Sequence, residues 1–443
     1  MHNFIQTCKN IWKIEDLRTR LLTTLLFVLI YRFGSFVVLP GIDPTALMTL
    51  KDQTRGGLMA LLDMFSGGAF SNASVFALGI MPYISASIVI QLLTLAVPAL
   101  QKMQKEGESG HQRMNQLTRY LTVGILLFQA PGYLANLSMQ FGHSFELTAL
   151  VVAQVIILCA GSMFVMWLGE RITDRGIGNG ISFIILIGII ARFPAALLQE
   201  FSSRLNDMGG GLIVFLIEIT ILLFVFAFAI LLVQGTRKVP VQYAKRMIGN
   251  KQYGGVRQYI PLKVNAANVM PIIFAQAIMF IPIAILGFSA ATSNNAFVIA
   301  FRDNDGFWYN LVFAILIVAF TYFYTAIIIN PVQMAENLKL NNGFIPGVKP
   351  GKATANYLDT LMSRITLPGS ILLALIAILP AFARLFGVTS GFAQFFGGTS
   401  LLIMVGVILD TLQQIESHLI MRHYDGFFDG SMRIKGRNGA MAY

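Results

Sequence analysis

The sequence predicts an all-α integral membrane protein, and three properties carry that prediction. Only 12% of its 443 residues are charged and 56% are apolar, whereas a soluble domain carries about 25% charged residues. The mean hydropathy is +0.68. Uncharged runs recur along the chain, and many approach the roughly 20 apolar residues that cross a hydrocarbon core of about 30 Å. This composition excludes an ordinary soluble enzyme and a disordered chain.

One helix per uncharged run gives ten transmembrane spans. Four runs are interrupted by a single charged residue, namely Arg32, Arg192, Glu218 or Arg384, and are still readable as spans. The predicted spans are 19–39, 75–97, 117–137, 147–168, 178–199, 211–234, 268–288, 308–330, 366–386 and 398–421.

The distribution of basic residues predicts the orientation. With the N-terminus in the cytoplasm, 25 of the 32 Lys and Arg residues fall in cytoplasmic segments, as the positive-inside rule expects. An even number of spans then places both termini in the cytoplasm. Arg32 lies within a span, and six basic residues fall on the outer side: Lys51, Arg55, Arg192, Arg204, Arg302 and Arg384.

Two cytoplasmic loops, 235–267 and 331–365, are long for a bundle of tightly connected helices. The first holds seven basic residues and no acidic residue. Such a segment is suited to docking on anionic lipid, RNA or an acidic partner. The same charge is also explained by orientation alone.

A short stretch near residue 60 is not a plain span. Gly56-Gly57 and Gly67-Gly68 flank a helix-compatible segment, Leu58 to Ser66, that is too short to cross a bilayer. It is either re-entrant and buried in protein or a helix lying on the outer surface. The sequence alone leaves both interpretations open.

No motif for catalysis or metal binding is apparent. The stretch Gly347 to Ala353 resembles a phosphate loop, but it has three residues between its glycines and ends in Ala353 where magnesium binding needs Ser or Thr. HExxH and GxSxG are absent, and Cys8 and Cys159 form no CxxC pair. We therefore expect no enzyme activity, no cofactor and no metal.

Three ionisable residues lie within spans: Arg32, Glu218 and Asp410. Such residues are functional candidates by default. Arg32 and Asp410 are also explained by snorkelling or by a structural pair, and nothing in the sequence explains Glu218. An ion-coupled transporter would place more polar ligands at the membrane midplane, so this small set weakens that alternative.

Eight segments carry a family resemblance. They are Asp63 to Ala69, Ala77 to Ser87, Lys105 to Gly110, Trp167 to Glu170, Arg175 to Ser182, Tyr243 to Arg246, Pro261 to Asn265 and Phe396 to Ile403. In sequence and order they resemble the SecY/Sec61-alpha family, from about Leu17 to about His423. SecY is the central subunit of the bacterial protein-conducting channel.

The resemblance implies a clamshell of ten helices in two pseudo-symmetric inverted halves. Residues 21–200 would form the N-terminal half and 201–421 the C-terminal half, between cytoplasmic segments 1–20 and 422–443. Residues 58–71 would form the family's re-entrant plug helix, which blocks the external funnel at rest. Its candidate residues are Asp63, Met64, Phe65, Ser66, Gly67 and Gly68.

The resemblance also implies a pore ring and a lateral gate. A ring of stiff apolar side chains excludes ordered water and ions when empty, yet parts around an extended polypeptide. By motif position the ring falls on Ile80, Ile84, Ile181, Ile185, Ile273 and Ile403. The gate lies between the second and seventh spans, with candidates Ser85, Ser87, Gln91, Gln129 and Gln276.

The implied function is passive conduction of unfolded secretory proteins across the bacterial inner (plasma) membrane and lateral insertion of transmembrane segments. The implied partners are the companion subunits SecE and SecG, the SecA motor ATPase, the ribosome, signal peptides and nascent chains, and membrane lipids. SecDF and YidC are further candidates. An ion-coupled small-solute secondary transporter is the alternative function, and a membrane scaffold without a pore is a third.

Docking of the ribosome and the motor is expected on the basic loops. The candidates are Arg237, Lys238, Lys245, Arg246, Lys251, Arg257 and Lys349. Lys349 departs from the family, because many members carry an arginine in this Pro-Gly-x-Arg-Pro-Gly turn. Lysine keeps the charge and loses the bidentate fork, which weakens any partner contact that depends on that geometry.

Overall fold

The computed structural model describes residues 14–42, 63–140, 149–206, 211–243, 246–248, 251–253, 257–267, 269–287 and 306–428. The first part of the expected plug, Lys245, most of the N-terminal segment and most of the tail lie outside these ranges.

The described chain is almost entirely helical, with a three-stranded sheet of β4, β1 and β5 and a two-stranded sheet of β2 and β3. The helices are α1 Glu15–Gly34, α2 Met81–Ala96, α3 Pro98–Lys105, α4 Glu108–Gln140, α5 Ala149–Arg175, α6 Gly180–Asn206, α7 Gly211–Gln234, α8 Met270–Gly287, α9 Phe307–Ile328, α10 Pro331–Leu340, α11 Lys352–Leu385, α12 Ser390–Ala393 and α13 Gly398–Phe428. The strands are β1 Thr236–Tyr243, β2 Arg246–Ile248, β3 Lys251–Tyr253, β4 Arg257–Lys263 and β5 Gly343–Phe344.

Each predicted span overlaps one of the ten helices of 16 or more residues in the described ranges. Six helical stretches there are long and apolar enough to cross a membrane, and α2 with α3 gives a seventh if the bent pair is one span. Helices that are apolar on every side, such as α9 with no charged residue, are typical of a lipid environment. The chain is therefore a multi-pass, all-α membrane protein.

A proline causes the bend between α2 and α3. Pro98 disfavours helical geometry at the preceding residue, and Val97 is accordingly extended, with φ −106° and ψ 112°. The two helix axes differ by 104°. Helix α2 therefore ends there, and α3 runs off at nearly a right angle.

The two long loops predicted on the cytoplasmic side form one structure. Strands β1 and β4 pair antiparallel, from Thr236 opposite Lys263 to Gln242 opposite Arg257. The short strand β5, which belongs to the second loop, pairs with the end of β1. Alternate residues of β1 are buried against α10 and α11, in an apolar cluster of Val239, Val241, Leu262, Leu338, Ile345, Leu358 and Met362.

One expectation about the C-terminal half needs correction. The expected loop 331–365 contains α10 and the first fourteen residues of α11, so the ninth span is only the second part of a 34-residue helix. Arg192, Arg204 and Arg384, which are expected on the outer side, lie within α6 and α11. Contacts described below explain how Arg192 and Arg204 are accommodated there.

The ends of the loop that contains the predicted plug are joined. The Leu39 N–H donates to the Ala73 carbonyl over 2.9 Å, and the Val75 N–H donates to the Val37 carbonyl over the same distance. Val38 and Ser74 form an isolated antiparallel bridge between them. Residues 73–75, where the chain comes back from this loop, are thus hydrogen-bonded to residues just after α1.

Candidate pore, plug and lateral gate

The six predicted ring isoleucines meet in one apolar cluster. They come from the start of α2 and from α6, α8 and α13, and therefore from both predicted halves of the chain. Ile80, Ile185 and Ile403 are buried, and the other three are partly buried against them. Ile84 donates its N–H to the Ile80 carbonyl over 3.1 Å, so this pair projects from consecutive helical turns. The structure thus gathers residues that lie more than 300 positions apart.

The described part of the predicted plug lies directly on this cluster. Met64 and Phe65 belong to the same cluster as the isoleucines. Every residue from 63 to 71 is buried, which favours the re-entrant interpretation over a helix on the outer surface.

The described end of the expected plug helix is short. Residues 63–65 are helical, and turns with one bridge residue, Ser74, follow as far as residue 80. Gly67 and Gly68 have φ values of +65° and +91°, which end the helix.

Polar side chains from two helices, α1 and α4, bind the carbonyls of the plug segment, 63–71. The Tyr31 hydroxyl donates to the Ser66 carbonyl over 3.0 Å, and Arg32 donates to the Gly67 carbonyl over 2.8 Å. From α4, the Tyr133 hydroxyl donates to the Phe70 carbonyl over 3.0 Å. These bonds anchor the turns of the segment to α1 and α4. Arg32 therefore has a structural pairing and is not explained by snorkelling alone.

The predicted seam between α2 and α8 is closed, and α9 takes part in it. Ile88 of α2 packs with Phe274 of α8 and Tyr324 of α9. The Tyr324 hydroxyl donates to Gln91 Oε1, and Gln91 Nε2 donates to Ser87 Oγ over 3.2 Å. Ser87 and Gln91 are thus brought into the seam, beside ring residues Ile84 and Ile273, which pack in the same cluster.

The other predicted gate residues are placed differently. Ser85 is half-buried on α2, and Gln129 is half-buried on α4. Gln276 lines a cavity of about 80 Å³ that the plug residue Met64 also lines, together with residues of α9, α11 and α13. Tyr324 was missed by the sequence reasoning. A tyrosine in an otherwise apolar span is a usable signal, because its buried hydroxyl needs a partner.

Glu218, a carboxylate within an otherwise apolar helix, pairs with an arginine of the neighbouring helix. We call Glu200, Arg204 and Glu218 the α6–α7 cluster. Arg204 contacts Glu218 Oε1 at 2.5 Å and Glu200 Oε1 at 3.0 Å. Glu200 is fully buried, and its Oε2 accepts the N–H of Thr389 at 2.9 Å. The cluster joins the end of α6 to α7 and to the turn before α12. Asp410 is exposed on α13.

The basic docking candidates lie on or beside the sheet. Arg237 and Lys238 on β1 are exposed, as is Lys349 in the turn between β5 and α11. Arg246, Lys251 and Arg257 belong to β2, β3 and β4. Among the described residues, no three His, Cys, Asp or Glu side chains are grouped so that they could hold a metal ion.

The family model named SecY matches residues 74–412. The chain belongs to the SecY family. The protein translocase subunit SecY of Streptomyces scabiei is 44% identical to it over 431 residues, 94% of this chain and 98% of that protein. The protein of the same name from Mycobacterium bovis is 42% identical over 433 residues, 93% of this chain and 97% of the relative.

Solved structures show the same fold. One described as a protein conducting channel has a TM-score of 0.62 at 17% identity, covering 93% of this chain and 95% of its own. Sec61 from a canine ribosome-channel complex has a TM-score of 0.59 at 16% identity, with the same coverage. The family assignment makes this chain the central pore-forming subunit of a protein translocation channel.

Proposed function

We propose that the six isoleucines form the constriction through which unfolded polypeptide crosses the membrane. The observation that carries this is their convergence from both predicted halves, with plug residues Met64 and Phe65 packed on them. Their apolar, stiff side chains leave no polar group to hold water or ions when the pore is empty. The plug segment then forms a second seal, in keeping with a SecY structure, 18% identical and with a TM-score of 0.62, whose plug domain is described as stabilising the closed state and maintaining a membrane seal.

The seam between α2 and α8 is proposed as the lateral gate. Among its described residues, an apolar cluster of Ile88, Ala267, Phe274 and Tyr324 lies beside the Tyr324–Gln91–Ser87 bonds. A closed apolar seam separates under a segment of about 20 apolar residues, because that segment is more stable in lipid than in a wet pore. Lateral insertion of transmembrane segments follows from this partition.

Photo-crosslinking at Ile84 tests the pore. A secretory precursor is stalled part-way across, and a covalent adduct is expected at Ile84 that disappears when the signal segment is deleted. Phe224 on α7, which is 72% exposed, is the matched control and should give no adduct. Equal adducts at Phe224, or none at Ile84 while positions in the cytoplasmic funnel react, would contradict the pore assignment.

The proposed setting is the bacterial inner membrane, with both termini cytoplasmic and with SecE and SecG as companion subunits. The sheet is proposed to dock the ribosome and the SecA motor, which supplies the driving force. Likeness to Sec61 in a ribosome-channel complex supports the ribosome as a partner. SecDF and YidC stay further candidates.

Salt dependence tests the ribosome contact. Arg237 and Lys238 are exposed on β1, so the double variant Arg237→Gln with Lys238→Gln should weaken ribosome binding and lower its dependence on salt by about two contacts. Lys102→Gln in α3 gives a single-charge comparison away from the sheet. An unchanged salt slope in the double variant would remove the sheet from the contact.

The transporter alternative is not favoured. Arg32 binds a plug carbonyl and Glu218 binds Arg204, so each has a structural contact in place of a solute site. Uptake of small solutes by vesicles holding the chain would reopen that alternative.

A further inference from the structure

A charged residue at the middle of a membrane helix needs a partner. Arg192 is the thirteenth of the 27 residues of α6, so it lies within a predicted span, where a charge without a partner is costly. Its partner is Asp63 of the plug segment, and the two side chains form an ion pair. The Asp63 side chain is 1% exposed.

The pair also closes the plug segment on itself. Asp63 Oδ1 accepts the N–H of Ser71 at 2.8 Å, and Arg192 donates to Ser71 Oγ over 3.0 Å. The first and last residues of the segment are thereby bound through one guanidinium group. Losing the pair frees both ends together.

Two glycines let the segment lie close enough to α6 for this pairing. A Cβ on Gly67 would lie 2.8 Å from the Gly188 Cα, and one on Gly188 would lie 3.1 Å from the Phe65 carbonyl oxygen. Both contacts are tighter than side chains accept, so the backbones touch where Arg192 reaches the segment. The plug segment and α6 are therefore complementary in shape as well as in charge.

Water decides the strength of the pair. The Arg192 side chain is 35% exposed, whereas Asp63 is shielded by the plug segment. An ion pair with one partner shielded from water is stronger than the same pair in bulk water. Once the segment begins to leave, water reaches Asp63 as well, and the attraction between the two side chains falls. Such a contact favours a segment that is either fully seated or released.

We propose that Asp63 and Arg192, here called the plug latch, are positioning residues that set how readily the channel opens. This rests on the proposed function of the plug segment as a seal. The latch holds the resting segment over the isoleucine ring. An entering polypeptide must break this ion pair before the segment can leave. Weakening the ion pair lowers the free energy that an entering polypeptide must supply to open the channel.

Resting leak of chloride tests the latch, with the full chain in its channel complex in lipid vesicles and no precursor present. Asp63→Asn keeps the shape and removes the charge, and it should raise the leak roughly tenfold, as a shift of the closed–open equilibrium would. Arg192→Gln should do the same. The double variant, Asp63→Asn with Arg192→Gln, should leak no more than either single variant, because each single change already removes the ion pair. Asp410→Asn, an exposed residue on α13, is the matched control.

A second readout follows the segment itself. Ser66 is 1% exposed, so in Ser66→Cys a membrane-impermeant maleimide should react slowly. Adding Asp63→Asn should speed that reaction roughly tenfold, in line with the shifted population of the open state. Arg192→Lys keeps the charge without the guanidinium fork and should lie between the parent and Arg192→Gln.

Unchanged leak and unchanged labelling in Asp63→Asn would overturn the latch. Increases in leak that multiply in the double variant would show that the two residues act independently and would overturn the ion pair as the cause. Precursor transport in the same vesicles reports separately on the proposed function. If the parent vesicles transport no precursor, the channel assignment fails, whatever the leak measurements give.

Discussion

Two groups of buried charges lie on the same helix, α6, and they differ in what they join. The plug latch pairs Arg192 with a segment that has one helical turn and then only turns. The α6–α7 cluster places Arg204 between carboxylates of two helices, and Glu200 also accepts two hydrogen bonds from Thr389.

The contrast shows how one kind of interaction serves two purposes. Removing a partner from a buried charge is costly wherever it happens. In the α6–α7 cluster every charged partner lies on a long helix, so breaking the Arg204–Glu218 pair requires moving α6 against α7. In the plug latch one partner lies on the plug segment and moves without unfolding a long helix. We therefore expect the cluster to control stability and the latch to control opening.

The largest expected effect comes from Arg204→Ala. It leaves two buried carboxylates without their cation, and unfolding should become easier by about 3–5 kcal/mol. Thermal unfolding of the purified complex in detergent measures this. Arg204→Lys, which keeps the charge, should lose less. A melting temperature of Arg204→Ala equal to that of the parent would show that the cluster does not hold α6 to α7.

The two carboxylates of the cluster should contribute unequally to the free energy of unfolding. Glu200→Gln weakens the acceptor for Arg204 and for Thr389 in a fully buried position, and a loss of about 1–3 kcal/mol is expected. Glu218→Gln removes one of two negative charges that share a single arginine, so the loss should be under about 1 kcal/mol. The same unfolding measurement separates them. Equal losses would mean that the shared arginine does not favour one carboxylate.

A glycine substitution in the plug segment tests whether opening can change without a change in stability. Gly67→Ala adds a Cβ at φ +65° and 2.8 Å from Gly188 Cα, a strain of about 1–3 kcal/mol borne by the seated segment. Resting leak should rise while the melting temperature stays close to the parent value. Gly188→Ala, whose nearest contacts are 3.1–3.3 Å, should leak less. Loss of stability without leak in Gly67→Ala would contradict the separation between opening and stability.

The smallest expected effect lies at the seam. Tyr324→Phe removes the hydrogen bond to Gln91 and should favour gate opening by about 0.5–1.5 kcal/mol. The fraction of marginally apolar test segments that insert into the membrane measures this. Tyr322→Phe on the same helix is the control, because that hydroxyl makes a weak, exposed contact at 3.4 Å. A larger shift from Tyr322→Phe would mean that the seam bond does not govern insertion.

The positions of the spans could be predicted because apolar composition is local information. The sheet of β1, β4 and β5 was not predicted, although alternating Val239 and Val241 carry the period of a strand. The plug latch was missed for a different reason. Asp63 and Arg192 are 129 positions apart, and only the packing of the plug segment on α6 brings them together. An arginine in the middle of an apolar run is still a usable signal, because it requires an anion or carbonyls nearby.

The hydrogen bond between Leu39 and Ala73 limits how far the plug segment can move. Gly68 is five residues from Ala73, and an extended chain spans at most about 3.6 Å per residue, so Gly68 travels no farther than about 18 Å from that point. A released plug therefore stays beside the mouth of the pore. Its return is a short, tethered search, and the channel reseals at a rate that does not depend on how much protein is present.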